Sequence, residues 1–426
     1  MPDDVRTVVT GMGIVSSIGS DINSFRDSLK KGVSGIVKAT YATNPCLSVE
    51  IAALIRDFSF VEKLKNLPNI PEEKLLKARQ LGQRAPFVIQ TSIISALQAW
   101  EQAGLFENAS SPDKIGLIVA GQNSTQNYQY KLISDFKENP EYLSPRYALE
   151  FLETNQLGIL SELLGIQGEG CVVGGASATG NVGVIKGHQL VKSGTVDICL
   201  VIGVVTELSP MDMQGFINIG AMGGKALAQQ PEKACRPFDK KHEGFIYGQA
   251  SGSLVIESES SASKRNQEYP VEIASGAINM DANSSANPDK EGEYIAMGTA
   301  LKRAGITVDD IDYINSHGSS SPLGDKTEAE AITDLLGKNV SNVWINATKG
   351  LTGHCLYSAG MVETIATIIQ MKEGFLHPNL NLLDPITNQL KFCGEKAVTQ
   401  EIKAALSNSF GFGGINTSVV IKNIHT

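Results

Sequence analysis

Apolar residues fall along this chain in short β-branched runs that alternate with longer stretches of helical period. "RTVVTGMGIVS" reads as a strand ending in glycine turns, and "DINSFRDSLKKG" as an amphipathic helix that Gly32 closes. "APFVIQTSIISALQAWEQAG" predicts a helix ended by Gly104, and "KIGLIVAG" a buried strand running into a loop. "GEGCVVGGASATGNVGVIKGHQLVKSG" reads as strand, tight turn and helix, with "VDICLVIGVV" the next core strand. After "ASGSLVIESE" the alternation restarts: strand, helix, strand, helix, strand and helix from "VEIASGAINMDANS" to "SAGMVETIATIIQMKEG", then a hairpin-like pair in "AALSNSFGFGGINTSVVIKN". This order predicts an α/β architecture of mostly parallel sheets covered by helices. The polar stretch "SESSASKRNQ" reads as structureless and places a break near residue 260, giving two halves of similar pattern, 1–260 and 261–426.

Composition narrows the class. The 426 residues suit two to three units of about 150 each, and 42 glycines fit a chain with many strand-to-helix turns and backbone-lined sites. The net charge is −9, with basic residues only in short pairs such as Lys30-Lys31 and Lys240-Lys241, which argues against nucleic-acid binding. Apolar runs such as "ICLVIGVV" are far shorter than the ~20 residues of a membrane span. "MPDDVRTVV" is acidic and carries no signal-peptide core, so a cytoplasmic protein is expected. Cys46, Cys171, Cys199, Cys235, Cys355 and Cys393 form no CxxC pair and have no histidine at zinc-finger spacing. They are expected to be buried thiols, with no metal site.

Three segments set reactive side chains beside glycines after predicted strands: "GGASATG" around Ser177, "NSHGSSSPLGD" around His317, and "NATKGLTGHCLYSAG" with Lys349 and His354. Ligands in parallel α/β sheets sit beyond the carboxyl ends of strands, so these loops are expected to converge. Two imidazoles donating to one carbonyl oxygen stabilise an enolate, the intermediate of a decarboxylation. Lys349 is expected to act on them through a carboxylate such as Asp325 or Glu328 and to keep both neutral. His188, His242, His377 and His425 are read as structural. "NSFGFGGIN" places Phe410 and Phe412 among glycines, either as an oxyanion-hole loop or as a hairpin turn with core phenylalanines.

Together these segments resemble the β-ketoacyl-acyl-carrier-protein synthases, thiolase-fold condensing enzymes of fatty-acid and polyketide synthesis. The likeness runs through "VVTGMGIVSSIG", "RPFDKKHEGFIYG", "INSHGSSSPLGDKTEAEAI", "ATKGLTGHCLYSAGMVE" and "NSFGFGGIN" in order. It implies a thiolase-like fold of two pseudo-duplicated halves, layered α-β-α-β-α around mixed, mostly parallel sheets, and a homodimer. It implies no cofactor of the protein's own, the substrate arriving on the phosphopantetheine arm of an acyl carrier protein. His317 and His354 match the histidines that hold a malonyl thioester carbonyl, with Lys349 supporting them. Ser319 and Ser321 stand where hydroxyls bind pantetheine, Asp325 and Glu328 match an acidic pair near the lysine, and Phe412 matches a gatekeeper that also supplies a backbone donor.

The central position departs. Condensing relatives carry a cysteine nucleophile where this chain has Ser177, and Cys171, six residues upstream inside a predicted strand, cannot replace it. A thiol at a helix N-terminus ionises readily from its usual ~8.5, whereas a serine hydroxyl needs a general base. The resemblance therefore implies a decarboxylase of the serine-for-cysteine branch. Such enzymes convert malonyl carrier protein to acetyl carrier protein, without condensation, for an HMG-synthase-like partner in polyketide β-branching. Ser177 is left three roles: orienting the malonyl carboxylate, donating to the thioester oxygen, or filling space. Tyr357 stands where glycine is usual and is expected to narrow the acyl pocket; "GQASG" at Gln249 is a second departure.

Competing readings are a non-catalytic partner subunit of the chain-length-factor kind, a slow condensing enzyme acylated on Ser177, and a serine hydrolase. The last is disfavoured because Gly180 falls one residue late for a G-x-S-x-G elbow.

Overall fold

The structure, a computed structural model, describes residues 5–39, 48–107 and 110–424. Cys46 and His425 lie outside the described residues.

Ten strands form its frame. The first half contributes β1 (Thr7–Ser16), β2 (Ile115–Ala120), β3 (Gly170–Val173), β4 (Ile198–Gly203) and β5 (Ala250–Ser258). The second contributes β6 (Val271–Met280), β7 (Tyr313–Asn315), β8 (Trp344–Asn346), β9 (Ala404–Gly411) and β10 (Ile415–Asn423). Their spatial orders are β1-β5-β4-β2-β3 and β6-β10-β9-β7-β8, so each half lays down its strands in the same sequence. Parallel pairing is confined to the outer strands of each set, and the central strands pair antiparallel. The two sets meet at β1 and β6 through the pair Val8 and Glu272.

Two helices lie between the sets: α1 (Thr179–Lys192), after β3, and α4 (Ala359–Glu373), after β8. Ala359–Met371 is buried on every face, as a helix between two sheets must be. The shared core joins Ile118, Val184, Leu254, Ile365 and Val419. Outside, the helix Phe87–Gln102 covers the first set so closely that a Cβ on Gly13 would lie 1.9 Å from the Ser95 carbonyl oxygen. On the second set, α2 (Lys290–Ala304) and α3 (Pro322–Leu336) pack Met297, Ala300 and Ile332 against Ile314 and Leu406. The layers thus run α-β-α-β-α.

The duplication reaches single residues. Ala176 (φ 48°) and Leu356 (φ 50°) hold left-handed backbone at the entry to the central helices, a conformation that costs an L-residue about 1–2 kcal/mol. Ser177 follows the first and Tyr357 the second, so these side chains hold equivalent places in the two halves. Four residues beyond each strained residue, Gly180 and Gly360 let α1 and α4 cross: a Cβ on Gly180 would lie 2.3 Å from the Met361 amide nitrogen.

Two expectations need correction. Residues 258–267 are not structureless: Glu259–Lys264 is a short helix whose N-cap, the Ser258 hydroxyl, accepts from the Ser261 amide. Cys171 is exposed rather than buried, because β3 is the edge strand of its set; the other described cysteines are buried.

Candidate active site

Loops at the carboxyl ends of β3, β7 and β8 and the turn from β9 to β10 open on one cavity of about 410 Å³. Ser177, His317, His354, Ser319, Ser321 and Phe412 all line it. Lys349, Asp325 and Glu328 do not; they stand behind the wall.

Local backbone fixes each histidine. His317 stands near the start of the loop after β7, and Gly318 after it adopts φ 40° where a Cβ would lie 2.5 Å from the Ala347 Cβ. Glu328 accepts from the amides of His317 (2.7 Å) and Gly318 (2.8 Å). Burial raises its carboxyl to about 7 against these donors. Asp325 accepts from the amides of Phe238 (2.7 Å) and Ser320 (3.0 Å) and contacts His242 Nδ1 at 2.9 Å. Both carboxylates are braces of the loop. His354 follows Gly353 (φ 64°), and its amide donates to the Ile246 carbonyl at 2.6 Å, so the segment "RPFDKKHEGFIYG" carries the second imidazole. The Phe245 ring stands edge-on to His354 with centroids 5.2 Å apart.

The lysine's carboxylate partner is neither Asp325 nor Glu328. Lys349 Nζ pairs with Glu363, a residue of α4, and also donates to the His317 carbonyl. Burial raises the Glu363 carboxyl to about 7, opposed by Lys349 and by Ser409, whose hydroxyl lies 3.3 Å away. Lys349 Nζ also lies 3.3 Å from Nδ1 of His317. An ammonium has protons to give and no lone pair, so Nδ1 accepts and the ring proton sits on Nε2. At His354, Nδ1 accepts from the Leu356 amide at 3.0 Å, which places that ring's proton on Nε2 as well. Burial, and next the charge of Lys349, hold both imidazoles well below the ordinary 6.5. The site thus holds two neutral imidazoles with centroids 5.4 Å apart at 80°, each with its acceptor nitrogen occupied and an N–H in reserve.

Ser177 lies in the single turn Ala176–Ala178 that leads into α1. Among the described residues no side chain is hydrogen-bonded to its hydroxyl. The Ser319 and Ser321 hydroxyls bond each other at 2.7 Å, and Gly324 leaves them room, since a Cβ there would lie 2.5 Å from the Ser321 Oγ. Phe412 is 42% exposed on the turn from β9 to β10, which the Gly413 amide pins to the Ser285 carbonyl at 3.1 Å. Gly411 brings that turn against Ser177's own loop: a Cβ on it would lie 2.6 Å from the Gly175 carbonyl oxygen. Tyr357 lines the cavity, its amide donating to the Thr206 hydroxyl at 3.2 Å. Gln249 lies away from the cavity, accepting from the Ile55 amide at 3.1 Å. Among the described residues no three His, Cys, Asp or Glu side chains are grouped to hold a metal ion.

Glu363, Glu293 and Gln122 were not singled out from sequence. Glu363 carries a signal, being the one acid in the apolar run "MVETIATII". Glu293 lies in the polar first turn of α2 and reads as solvated. Gln122 shows its role only in three dimensions, where its Oε1 accepts from the Gly175 amide at 2.9 Å.

Fold and site together define a thiolase-like ketosynthase architecture. The ishigamide ketosynthase/chain length factor has this fold with a TM-score of 0.86 at 25% identity, over 98% of this chain and 99% of that one. A β-ketoacyl synthase from Burkholderia phymatum STM815 has it with a TM-score of 0.85 at 24% identity, over 99% and 100%. Models of the beta-ketoacyl synthase N-terminal and C-terminal domains match residues 5–262 and 271–383, and the chain belongs to the β-ketoacyl synthase family. It is 38% identical to the polyketide biosynthesis malonyl-ACP decarboxylase PksF of Bacillus subtilis (strain 168), over 98% of this chain and 97% of that protein. It is 30% identical to 3-oxoacyl-[acyl-carrier-protein] synthase 2 of Staphylococcus aureus (strain MRSA252), over 99% of each.

Proposed function

We propose that this protein decarboxylates a malonyl thioester carried on an acyl carrier protein, yielding the acetyl thioester without condensation. The observation that carries the reading is the fixed tautomer of the two histidines. Each imidazole has an Nε2–H for a thioester oxygen, and neither has a free lone pair with which to deprotonate Ser177. The site is therefore equipped to hold an enolate and not to raise a serine nucleophile.

The reaction follows from those donors. Pantetheine enters past Ser319 and Ser321, and the thioester oxygen takes hydrogen bonds from His317 and His354. The bond to the carboxylate breaks, its electron pair passes into the enolate, and carbon dioxide leaves. A donor of this kind lowers the barrier by about 3 kcal/mol. With no acyl group on Ser177, the enolate is protonated. The likeness to PksF supports this reading over an inactive partner subunit, as does the completeness of the lysine-histidine machinery. The acetyl product would supply an HMG-synthase-like step in polyketide β-branching.

We also infer a homodimer, built on the exposed edge strand β3 and the apolar surface of Ile133, Phe136 and Leu149. Light scattering should give twice the chain mass. The described cysteines are all free thiols, which suits a reducing cytoplasm; among the described residues no helix is long and apolar enough to cross a membrane.

Incubation with malonyl-loaded carrier protein, followed by mass spectrometry of its phosphopantetheine arm, tests the function. Conversion to acetyl is expected. Malonyl persisting as it does without enzyme would remove the reading.

A further inference from the structure

The proposed decarboxylation, on which this inference rests, leaves an enolate that needs a proton on carbon. Among the residues placed so far, the hydroxyls of Ser177 and Tyr357 are weak acids and the nitrogen donors are engaged. Both imidazoles spend their Nε2–H on the enolate oxygen, and Lys349 is held by Glu363 and His317. Glu293, in the first turn of α2, lines the same cavity as Ser177 and the two histidines. Its side chain is buried, at 1% exposure, and its Oε2 has no hydrogen-bond partner. An orphaned carboxyl oxygen in a substrate cavity is expensive unless it serves chemistry.

We propose that Glu293 is the acid that delivers this proton to the enolate carbon. The groups that act on it are acidic on every side: Asp281 after β6, Asp289 at the N-cap of α2, and Asp325 and Glu328 on α3. Burial above all, then these charges, raises its carboxyl well above 4.5, which favours the protonated form that a proton donor needs. In the step, the Glu293 O–H bond breaks and a C–H bond forms with the enolate electron pair. The thioester carbonyl is restored, and Glu293 is left as a carboxylate. It regains its proton from solvent, past Asp281, the more open of the two acids at the cavity wall. One proton is consumed for each carbon dioxide released, which balances malonyl against acetyl.

Glu293→Gln keeps the shape of the protonated acid and removes its proton. The wild type and this variant are compared on malonyl carrier protein, beside Glu293→Ala in acetate buffer near pH 6. The expected result is a loss of about 100-fold in the Gln variant, the usual scale of general acid catalysis. The Ala variant should regain rate in proportion to acetic acid concentration, which a purely structural glutamate would not produce. A Gln variant within twofold of wild type, or an Ala loss that acetic acid does not touch, overturns the assignment. A wild type that leaves malonyl intact removes the decarboxylase reading itself, so the two failures are distinguishable.

Discussion

Lys349 sets its ammonium 3.3 Å from Nδ1 of His317 while Glu363 holds it from the other side. That relationship orients one imidazole, fixes its tautomer and helps to keep it neutral. Lys349→Met removes the donor and leaves Glu363 buried without its cation, with only the Ser409 hydroxyl beside it. Decarboxylation should fall at least 100-fold, and stability by about 3–5 kcal/mol, the scale for breaking one side of a buried pair. Adding Glu363→Gln should recover much of the stability, read from urea unfolding, and none of the activity.

Ser177→Cys places a thiol at the entry to α1, where ionisation is favoured. Peptide mass spectrometry after brief iodoacetamide treatment near pH 7 should show residue 177 modified faster than the buried Cys199, Cys235, Cys355 and Cys393. A Cys171→Ser background removes the one exposed described thiol. No gain of labelling at residue 177 would mean that the joint does not lower a thiol's pKa.

Tyr357 occupies in the second half the place that Ser177 occupies in the first, and both line the cavity. In the Ser177→Cys background, Tyr357→Gly should raise transfer of a medium-chain acyl group from carrier protein to residue 177, with less effect on acetyl. Equal transfer of both chain lengths with and without Tyr357 would show that the ring does not bound the acyl pocket.

His188 is buried and neutral, its Nδ1 at 2.7 Å from the Thr7 hydroxyl, and burial lowers its pKa to about 4. A folded pKa below the unfolded ~6.5 stabilises above pH 6.5, and the contribution is lost as pH falls from 6.5 towards 4. It is worth on the order of 3 kcal/mol at neutral pH. Glu328 and Glu363, both raised to about 7, contribute the opposite slope. The test is therefore the difference between wild type and His188→Gln: their stability gap should shrink as the pH falls from 6.5 to 4. A gap independent of pH would contradict the assignment.

Much of the site was legible because it lies in loops whose glycines mark strand ends. Ser177, His317 and His354 fall on such turns, and the three loops do meet at one cavity. The lysine's partner was not legible from proximity in sequence. Asp325 and Glu328 lie near His317 along the chain and spend themselves on backbone amides of its loop and, for Asp325, of Phe238, whereas Glu363 reaches Lys349 from a helix buried between two sheets. The equivalence of Ser177 and Tyr357 depends on the repeated strand order, which the apolar pattern suggests but does not specify. The helix Glu259–Lys264 was missed because its serines read as loop, although Ser258 is a standard N-cap.

In the proposed decarboxylation the histidines carry the chemistry and Ser177 is not a nucleophile. The direct measurement is the rate of acetyl formation from malonyl carrier protein by Ser177→Ala, set beside His317→Ala and His354→Ala. Ser177→Ala should keep at least a tenth of the wild-type rate, while each histidine variant should lose about 100-fold, the scale of one lost oxyanion donor. A Ser177→Ala loss as large as those of the histidine variants would contradict the account and give Ser177 a direct part in the chemistry.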